Sequence, residues 1–166
     1  RDITKRKIAE LELDRQRHLL ETIIQILPCR IFARDTEGRF LLINEEYRNP
    51  FHIDDRENVI GHKLTDIRDN DAARQIEAQD AEIMGTGVPL INELEFTKGL
   101  LNVGRWALSS KVPLKNSQGA ITGIVGMVMD ITEQKEAEQK AKAAGEELAK
   151  KNHQFEAELL VARQLQ

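Results

Sequence analysis

The stretch GAITGIVGMVMDIT, residues 119–132, joins a strand-like segment to the start of a helix. The segment before Asp130 is almost entirely apolar or small and follows a turn-forming glycine, which predicts a buried strand after a tight turn. Asp130 ends this strand. Thr132 can cap the next helix, because its hydroxyl can accept a hydrogen bond from an unsatisfied backbone N–H of the first turn. We therefore expect a junction here between a domain and its exit helix.

Working outward from this junction, the rest of the chain alternates between strand-like and helical patterns. The strand-like runs cover residues 30–34, 39–43, 90–96, 105–114 and 120–129, and the helical patterns cover residues 4–27, 44–47, 64–67, 71–84 and 132–166. Short, turn-marked connections between strands predict antiparallel pairing. The sequence thus predicts an α+β fold: a five-stranded antiparallel sheet with short helices on one face, flanked by long N- and C-terminal helices.

Residues 71–84 have the pattern of a helix. Asn70 or Asp71 is expected to cap its start, and the glycines at 85 and 87 to end it. The side chains that the helical period places on one face are Ala73, Ile76, Asp80 and Ile83.

This order of elements, with several of its short phrases, resembles the PAS family of sensor domains. The resemblance covers residues 28–132, and it implies the PAS fold and a role in signal transduction. Each phrase is weak alone, but their order and intervals together are fairly specific. The matching residues are 40–44, 59–61, 85–89, 106, 111–114, 119, 121–126 and 130–132.

The phrase DIT occurs twice, beginning at residues 2 and 130, which lie 128 residues apart. In PAS proteins this phrase marks the exit from the domain, so the resemblance implies a tandem arrangement; coincidence of three letters is the alternative. We accordingly expect residues 1–4 to be the end of a preceding PAS domain and 5–27 a connecting helix. Residues 28–132 would form the PAS domain and residues 133–166 a signalling helix, with Asp130 and Thr132 relaying the signal between them.

The C-terminal helix has the pattern of a coiled coil. Apolar residues follow one another at steps of four and three, and Glu–Lys pairs at (i, i+4) support the helix. Two successive steps of four at Asn152 interrupt the repeat as a stutter. The Glu–Lys pairs stabilise a lone solvated helix by only ~0.2–0.5 kcal/mol each, which is too little to order it. We therefore expect a parallel homodimer. The expected dimer seam includes Ala141, Leu148, Phe155 and Leu159.

The end of this helix, ELLVARQLQ at residues 158–166, resembles the segment that precedes the catalytic domain in sporulation-type metal-dependent serine/threonine phosphatases. The chain contains none of the metal-binding aspartates of that family, so it is not expected to be an enzyme by itself. A histidine kinase or a nucleotide cyclase remains an alternative effector. His153 lacks the following acidic residue and proline of a kinase phosphoacceptor and is expected to be a solvated helix residue.

Composition narrows the classes of partner. The net charge is -4 and no basic stripe appears, so no nucleic-acid contact is expected. No apolar run approaches the ~20 residues of a membrane span, so this segment is expected to make no membrane contact. A single cysteine allows no internal disulfide and fits a reducing, cytoplasmic setting.

The sequence argues against the familiar PAS cofactors. Residues 71–84 contain no histidine or cysteine to ligate haem, and Cys29 precedes the first strand, away from the motif that forms flavin photoadducts. His52 and His62 fall in loops, and no metal-ligand spacing is present. A small organic ligand stays open. Its candidate pocket residues are Tyr47, Trp106, Ser110 and Met127, whose alternative role is to fill the core.

Overall fold

The structure, a computed structural model, describes residues 2–48, 59–97 and 104–164. A long helix precedes the sheet, three helices separate its second and third strands, and a second long helix follows it. The helices are α1 (Asp2–Ile26), α2 (Glu45–Arg48), α3 (Leu64–Ile67), α4 (Asp71–Thr86) and α5 (Thr132–Gln164), and the strands are β1 (Arg30–Asp35), β2 (Phe40–Ile43), β3 (Leu90–Thr97), β4 (Arg105–Lys115) and β5 (Ile121–Asp130).

The five strands form one sheet in the order β2-β1-β5-β4-β3, and every neighbouring pair is antiparallel. The last strand therefore lies at the centre, between β1 and β4. This arrangement, with helices between β2 and β3, confirms the predicted α+β class and PAS fold. Strand ends agree with the sequence prediction within one residue, as expected where alternation and turn residues coincide.

The helix α4 begins and ends through the signals that its sequence contains. Asn70 is the N-cap, and its side chain accepts a hydrogen bond from the Ala73 N–H at 2.8 Å. Gly87 ends the helix with a φ of 71°, the left-handed conformation in which glycine has no steric penalty. The helix continues through Gly85 to Thr86, two residues beyond the predicted end at residue 84. The buried side chains of α4 are Ala73, Asp80 and Ile83, three of the four residues that the sequence places on one face.

The hydrophobic core lies between the helices and β1–β2. Three aromatic rings meet in it edge to face: Phe32, Phe40 and Tyr47, with centroids 5.6–6.5 Å apart. Such T-shaped contacts contribute ~0.5–1.5 kcal/mol beyond burial. Leu64 and Ala73 bring α3 and α4 onto this cluster.

Residues 1–130 and 131–166 form two compact units. In the first, α1 is tied to the domain near its end: the Asn44 side chain donates to the carbonyl of Ile24 at 3.1 Å. Asp2 is already helical, whereas Asp130 ends a strand. The proposed remnant of a preceding domain at residues 1–4 stays a prediction.

The second unit is α5, in which no side chain of residues 132–164 is buried. Across the part of the chain that the structure describes, none of the helices has the length and apolar character that crossing a bilayer requires.

Candidate functional site

A cluster of three charged side chains is buried between the sheet and α4. Asp80 accepts hydrogen bonds from two cations: Arg34 donates through Nη1 to Oδ2, and Lys111 donates through Nζ to Oδ1 at 2.6 Å. Arg34, Asp80 and Lys111 are only 1%, 1% and 4% exposed. We call these three residues the charged cluster. Buried charges are costly unless they are paired, so this arrangement demands a physical reason.

Strand alternation and helix period place the three residues together. In β1, burial alternates so that Phe32 and Arg34 both face the helices. In β4, Lys111 follows Ala107 and Ser109 on the same face. In α4, Asp80 occupies the apolar stripe, one turn before Ile83. The charged cluster therefore ties α4 to two strands that are not neighbours in the sheet.

Aromatic side chains enclose the guanidinium group of Arg34. Its central carbon lies 4.5 Å from the Phe32 ring centroid and 4.4 Å from that of Phe40, both within cation–π range. Arg34 Nη2 donates to the Tyr47 hydroxyl at 3.4 Å. Burial raises the pKa of Tyr47, while the positive charge of Arg34 acts in the opposite direction. Tyr47 therefore stays a neutral phenol beside the cation.

A glycine in the central strand provides room for this aromatic enclosure. Gly126 pairs with Phe32 across β1 and β5. A Cβ atom at Gly126 would lie 2.2 Å from the Phe32 ring, far inside van der Waals contact. The ring position that encloses Arg34 thus depends on a residue without a side chain.

A cavity of about 330 Å³ extends from the charged cluster along α4. Arg34 and Asp80 form part of its wall, and exposed residues of the β1–β2 turn, Thr36 and Glu37, form another part. The volume lies at the low end of the ~300–1,000 Å³ that is usual for small-molecule pockets.

Comparison with known proteins identifies the family. Residues 26–136 match the family described as the PAS fold, which is more than half of the chain. The chain belongs to the PAS family. It is thus a PAS sensory domain of the kind that signalling proteins contain.

The PAS domain has relatives among sensor proteins. It is 30% identical over 142 residues to the virulence sensor protein BvgS of Bordetella pertussis, covering 82% of this chain and 11% of that protein. It is 29% identical over 117 residues to the methanogenesis regulatory histidine kinase FilI of Methanothrix harundinacea, covering 70% of this chain and 13% of that protein. The chain therefore spans about a tenth of the length of these curated relatives.

Among solved structures, the PAS domain of Bordetella pertussis BvgS is similar to this chain. The TM-score is 0.60 at 26% sequence identity, and the match covers 80% of this chain and 98% of that domain.

The four residues predicted to line a pocket lie on two different sides of the sheet. Tyr47 lies in the core beside Arg34. Trp106 and Ser110 alternate with the inward residues of β4, and Met127 pairs with Ser110, so these three lie on the opposite face of the sheet. Tyr47 thus lies apart from these three residues, and a role of any of the four in binding a ligand stays a prediction. Trp106 packs against Phe96 of β3 there, with ring centroids 5.0 Å apart.

The two predicted relay residues lie at the end of the sheet and the start of α5. Asp130 accepts a hydrogen bond from Arg105 at 2.6 Å, which joins the end of β5 to the start of β4. The carbonyl of Ile131 accepts the first helical hydrogen bond, from the Lys135 N–H at 2.9 Å. Ile131 is therefore at the N-cap position, and Thr132, the residue predicted to cap the helix, is instead its first residue.

The other cysteine and histidine side chains that the structure describes do not come together in a further site. Cys29 is buried, and burial, aided by the charge of Glu46, raises the pKa of its thiol. His62 has an exposed side chain, and His52 lies outside the described residues. Within residues 2–48, 59–97 and 104–164, no group of three or more histidine, cysteine or carboxylate side chains is placed to hold a metal ion.

Sequence reasoning did not single out the charged cluster as a site. The sequence does contain a signal for this cluster. It consists of a carboxylate on the apolar stripe of α4 and basic residues at inward positions of two strands. Hydrophobic patterning favours the aromatic residue of a strand as the inward one. In β4 the inward residue is Lys111, whereas the predicted pocket residues Trp106 and Ser110 lie on the opposite face.

Proposed function

We propose that this chain is a PAS sensory, relay and dimerisation module that passes a signal through α5 to a downstream effector. The observation that carries the proposal is the direct passage from β5, the central strand, to α5. One residue separates them in the chain. With 33 residues, α5 spans ~50 Å at ~1.5 Å per residue.

The exposed apolar side chains of α5 support dimerisation through this helix. Leu148, Phe155 and Leu159 are 61%, 62% and 46% exposed, and Ala141 of the predicted seam is exposed as well. Their spacing is that of a coiled-coil seam, in which a partner helix covers such residues. A parallel homodimer would remove them from water and would link the outputs of two PAS domains.

Asp130 is the residue that we assign to the relay. Its ion pair with Arg105 connects the end of β5 to the start of β4, so a movement of β4 can be passed to the junction with α5. Both side chains are partly exposed, so the pair contributes only ~0–1 kcal/mol to stability. A contact of that strength can switch between two arrangements of modest energy difference, as a relay requires.

The effector that we propose is a metal-dependent serine/threonine phosphatase. The support is the resemblance of residues 158–166 to the helix that precedes this catalytic domain. A histidine kinase is the second candidate, because the relative FilI is named as one. A nucleotide cyclase is a further alternative. The chain itself would have no catalytic activity and would act in the cytoplasm, without contacting nucleic acid or membrane.

The relay is tested by changing the length of α5 in the parent protein. Inserting seven residues after Lys140 keeps the heptad phase of the seam, and inserting four rotates it. We expect the seven-residue variant to retain regulation of the effector and the four-residue variant to lose it. Equal regulation in both would contradict a rotational relay through α5.

A point substitution tests the junction itself. Asp130→Ala should leave the fold and the basal effector activity intact while abolishing regulation. Asp71→Ala, which removes another exposed carboxylate of an ion pair, is the matched control. Regulation that survives Asp130→Ala would show that the junction is not the relay. Assays for phosphoserine hydrolysis and for autophosphorylation by ATP distinguish the two main effector classes.

A further inference from the structure

The charged cluster carries an excess of positive charge. Arg34 and Lys111 are two cations, and Asp80 is the only carboxylate that the described residues place between them. Other charged residues of the cavity wall lie nearer to solvent, which screens them. A buried charge without a counter-charge is unfavourable. An anion is therefore the species that would complete this cluster.

The same residues have hydrogen-bond donors to spare. Arg34 Nε is buried and has no hydrogen-bond partner among the described residues. The bond from Arg34 Nη2 to Tyr47, at 3.4 Å, is longer than the ~2.7–3.2 Å of ordinary N–H···O bonds. The Lys111 ammonium has three N–H donors, and among the described residues it donates to two acceptors, Gln79 and Asp80. Additional acceptor atoms would satisfy this surplus.

The cavity brings ligand-sized space to Arg34. Arg34 and Asp80 stand in its wall, together with Lys63, which forms no side-chain ion pair within the described residues. Arg74 and Glu37 also line the cavity, and each is paired with an opposite charge of its own. Glu77, also in the wall, is engaged by the N–H and hydroxyl of Thr65. Apolar surface comes from α4, through Ala78, Ala81 and Met84.

We infer that this cavity binds a small organic anion, with a carboxylate or equivalent group paired with Arg34 and an apolar part against α4. Lys111 has a defined task in this arrangement. By pairing with Asp80, it leaves the positive charge of Arg34 available to the ligand. The inference goes beyond the relay, because it assigns the PAS domain a signal of its own. Binding is measured on the 166-residue chain alone, so its failure would leave the relay proposal standing, and the reverse also holds.

Matched acids and amides test the charge requirement. We would titrate the chain with benzoate and hexanoate, and with benzamide and hexanamide, in a calorimeter at concentrations up to about 10 mM. We expect saturable binding of at least one acid and none of its amide, which has the same shape without the charge. Absence of binding by both acids, or equal binding of an acid and its amide, would overturn the inference.

A lysine substitution then locates the site. In Lys111→Met, Asp80 and Arg34 form a balanced pair, so the domain should fold, and the acid should bind at least about tenfold more weakly. Lys115→Met, which removes an exposed cation of the same strand, is the control and should bind normally. Lys63→Met, in the cavity wall, should weaken binding and serves if Lys111→Met does not fold. Unchanged binding in Lys111→Met, or in Lys63→Met where that variant stands in, would overturn the inference.

Discussion

The PAS domain and α5 accommodate their side chains in opposite ways. The domain surrounds a buried guanidinium with aromatic rings and a carboxylate, whereas residues 132–164 contain no buried side chain. The domain thus has internal contacts that specify its fold. The apolar residues of α5 are exposed to solvent. The stability of this helix should therefore depend on protein concentration, because a second copy of the chain would cover them. The two regions should respond differently to the same kind of substitution.

The largest effect should follow from removing the carboxylate of the charged cluster. Asp80→Asn leaves Arg34 and Lys111 buried without a counter-charge, so the free energy of unfolding should fall by about 3–5 kcal/mol. Denaturant titration followed by circular dichroism measures this change. Asp71→Asn, at an exposed ion pair of the same helix, should cost ~0–1 kcal/mol. A similar loss in both variants would mean that the charged cluster does not stabilise the domain.

A charge in the proposed seam should affect association and leave the PAS domain folded. Leu148→Glu should raise the dimer dissociation constant on the order of a hundredfold, which is about 2.7 kcal/mol. Analytical ultracentrifugation over a range of concentrations measures it. Lys150→Glu introduces the same residue off the proposed seam and should change the constant little. If Leu148→Glu lowers domain stability instead of association, the division between the two regions is wrong.

Adding one methyl group at Gly126 should destabilise the PAS domain. The new Cβ in Gly126→Ala would collide with the Phe32 ring, and overpacking of this kind costs about 1–3 kcal/mol. The thermal unfolding midpoint should drop accordingly. A midpoint equal to that of the unchanged chain would show that the aromatic enclosure of Arg34 can shift freely.

The same substitution should have the opposite sign in α5. A Cβ at Gly145 meets no atom within 4 Å, and alanine favours a helix over glycine by about 0.5–1 kcal/mol. Gly145→Ala should therefore raise the helical signal of α5 and stabilise the dimer slightly. Destabilisation at this position would indicate a close helix–helix approach there that only glycine permits.

The sequence predicted the fold better than the site, for reasons that particular residues show. Local signals, such as the Asn70 cap and the alternation in β1 and β4, are sufficient to place helices and strands. Spacing alone placed Asp80 on one face of α4 with Ala73 and Ile83. Its partners are 46 and 31 residues away in the sequence, and local patterns contain no information on such contacts.

The face of β4 shows the second reason. Alternation separates Trp106 and Ser110 from Lys111, but it does not tell which set faces the helices. Hydrophobicity favours the tryptophan, yet an inward lysine is stabilised here by a carboxylate from another element. Pairing of distant charges thus overrides the local preference at the position where the candidate site forms.

Native mass spectrometry of the purified chain, compared with its denatured mass, tests whether α5 pairs with a second copy of itself. We expect a dimer, at twice the 18.9 kDa of one chain, at micromolar concentration. A monomer under these conditions would contradict a dimeric relay, because α5 would then have no partner helix with which to carry a signal.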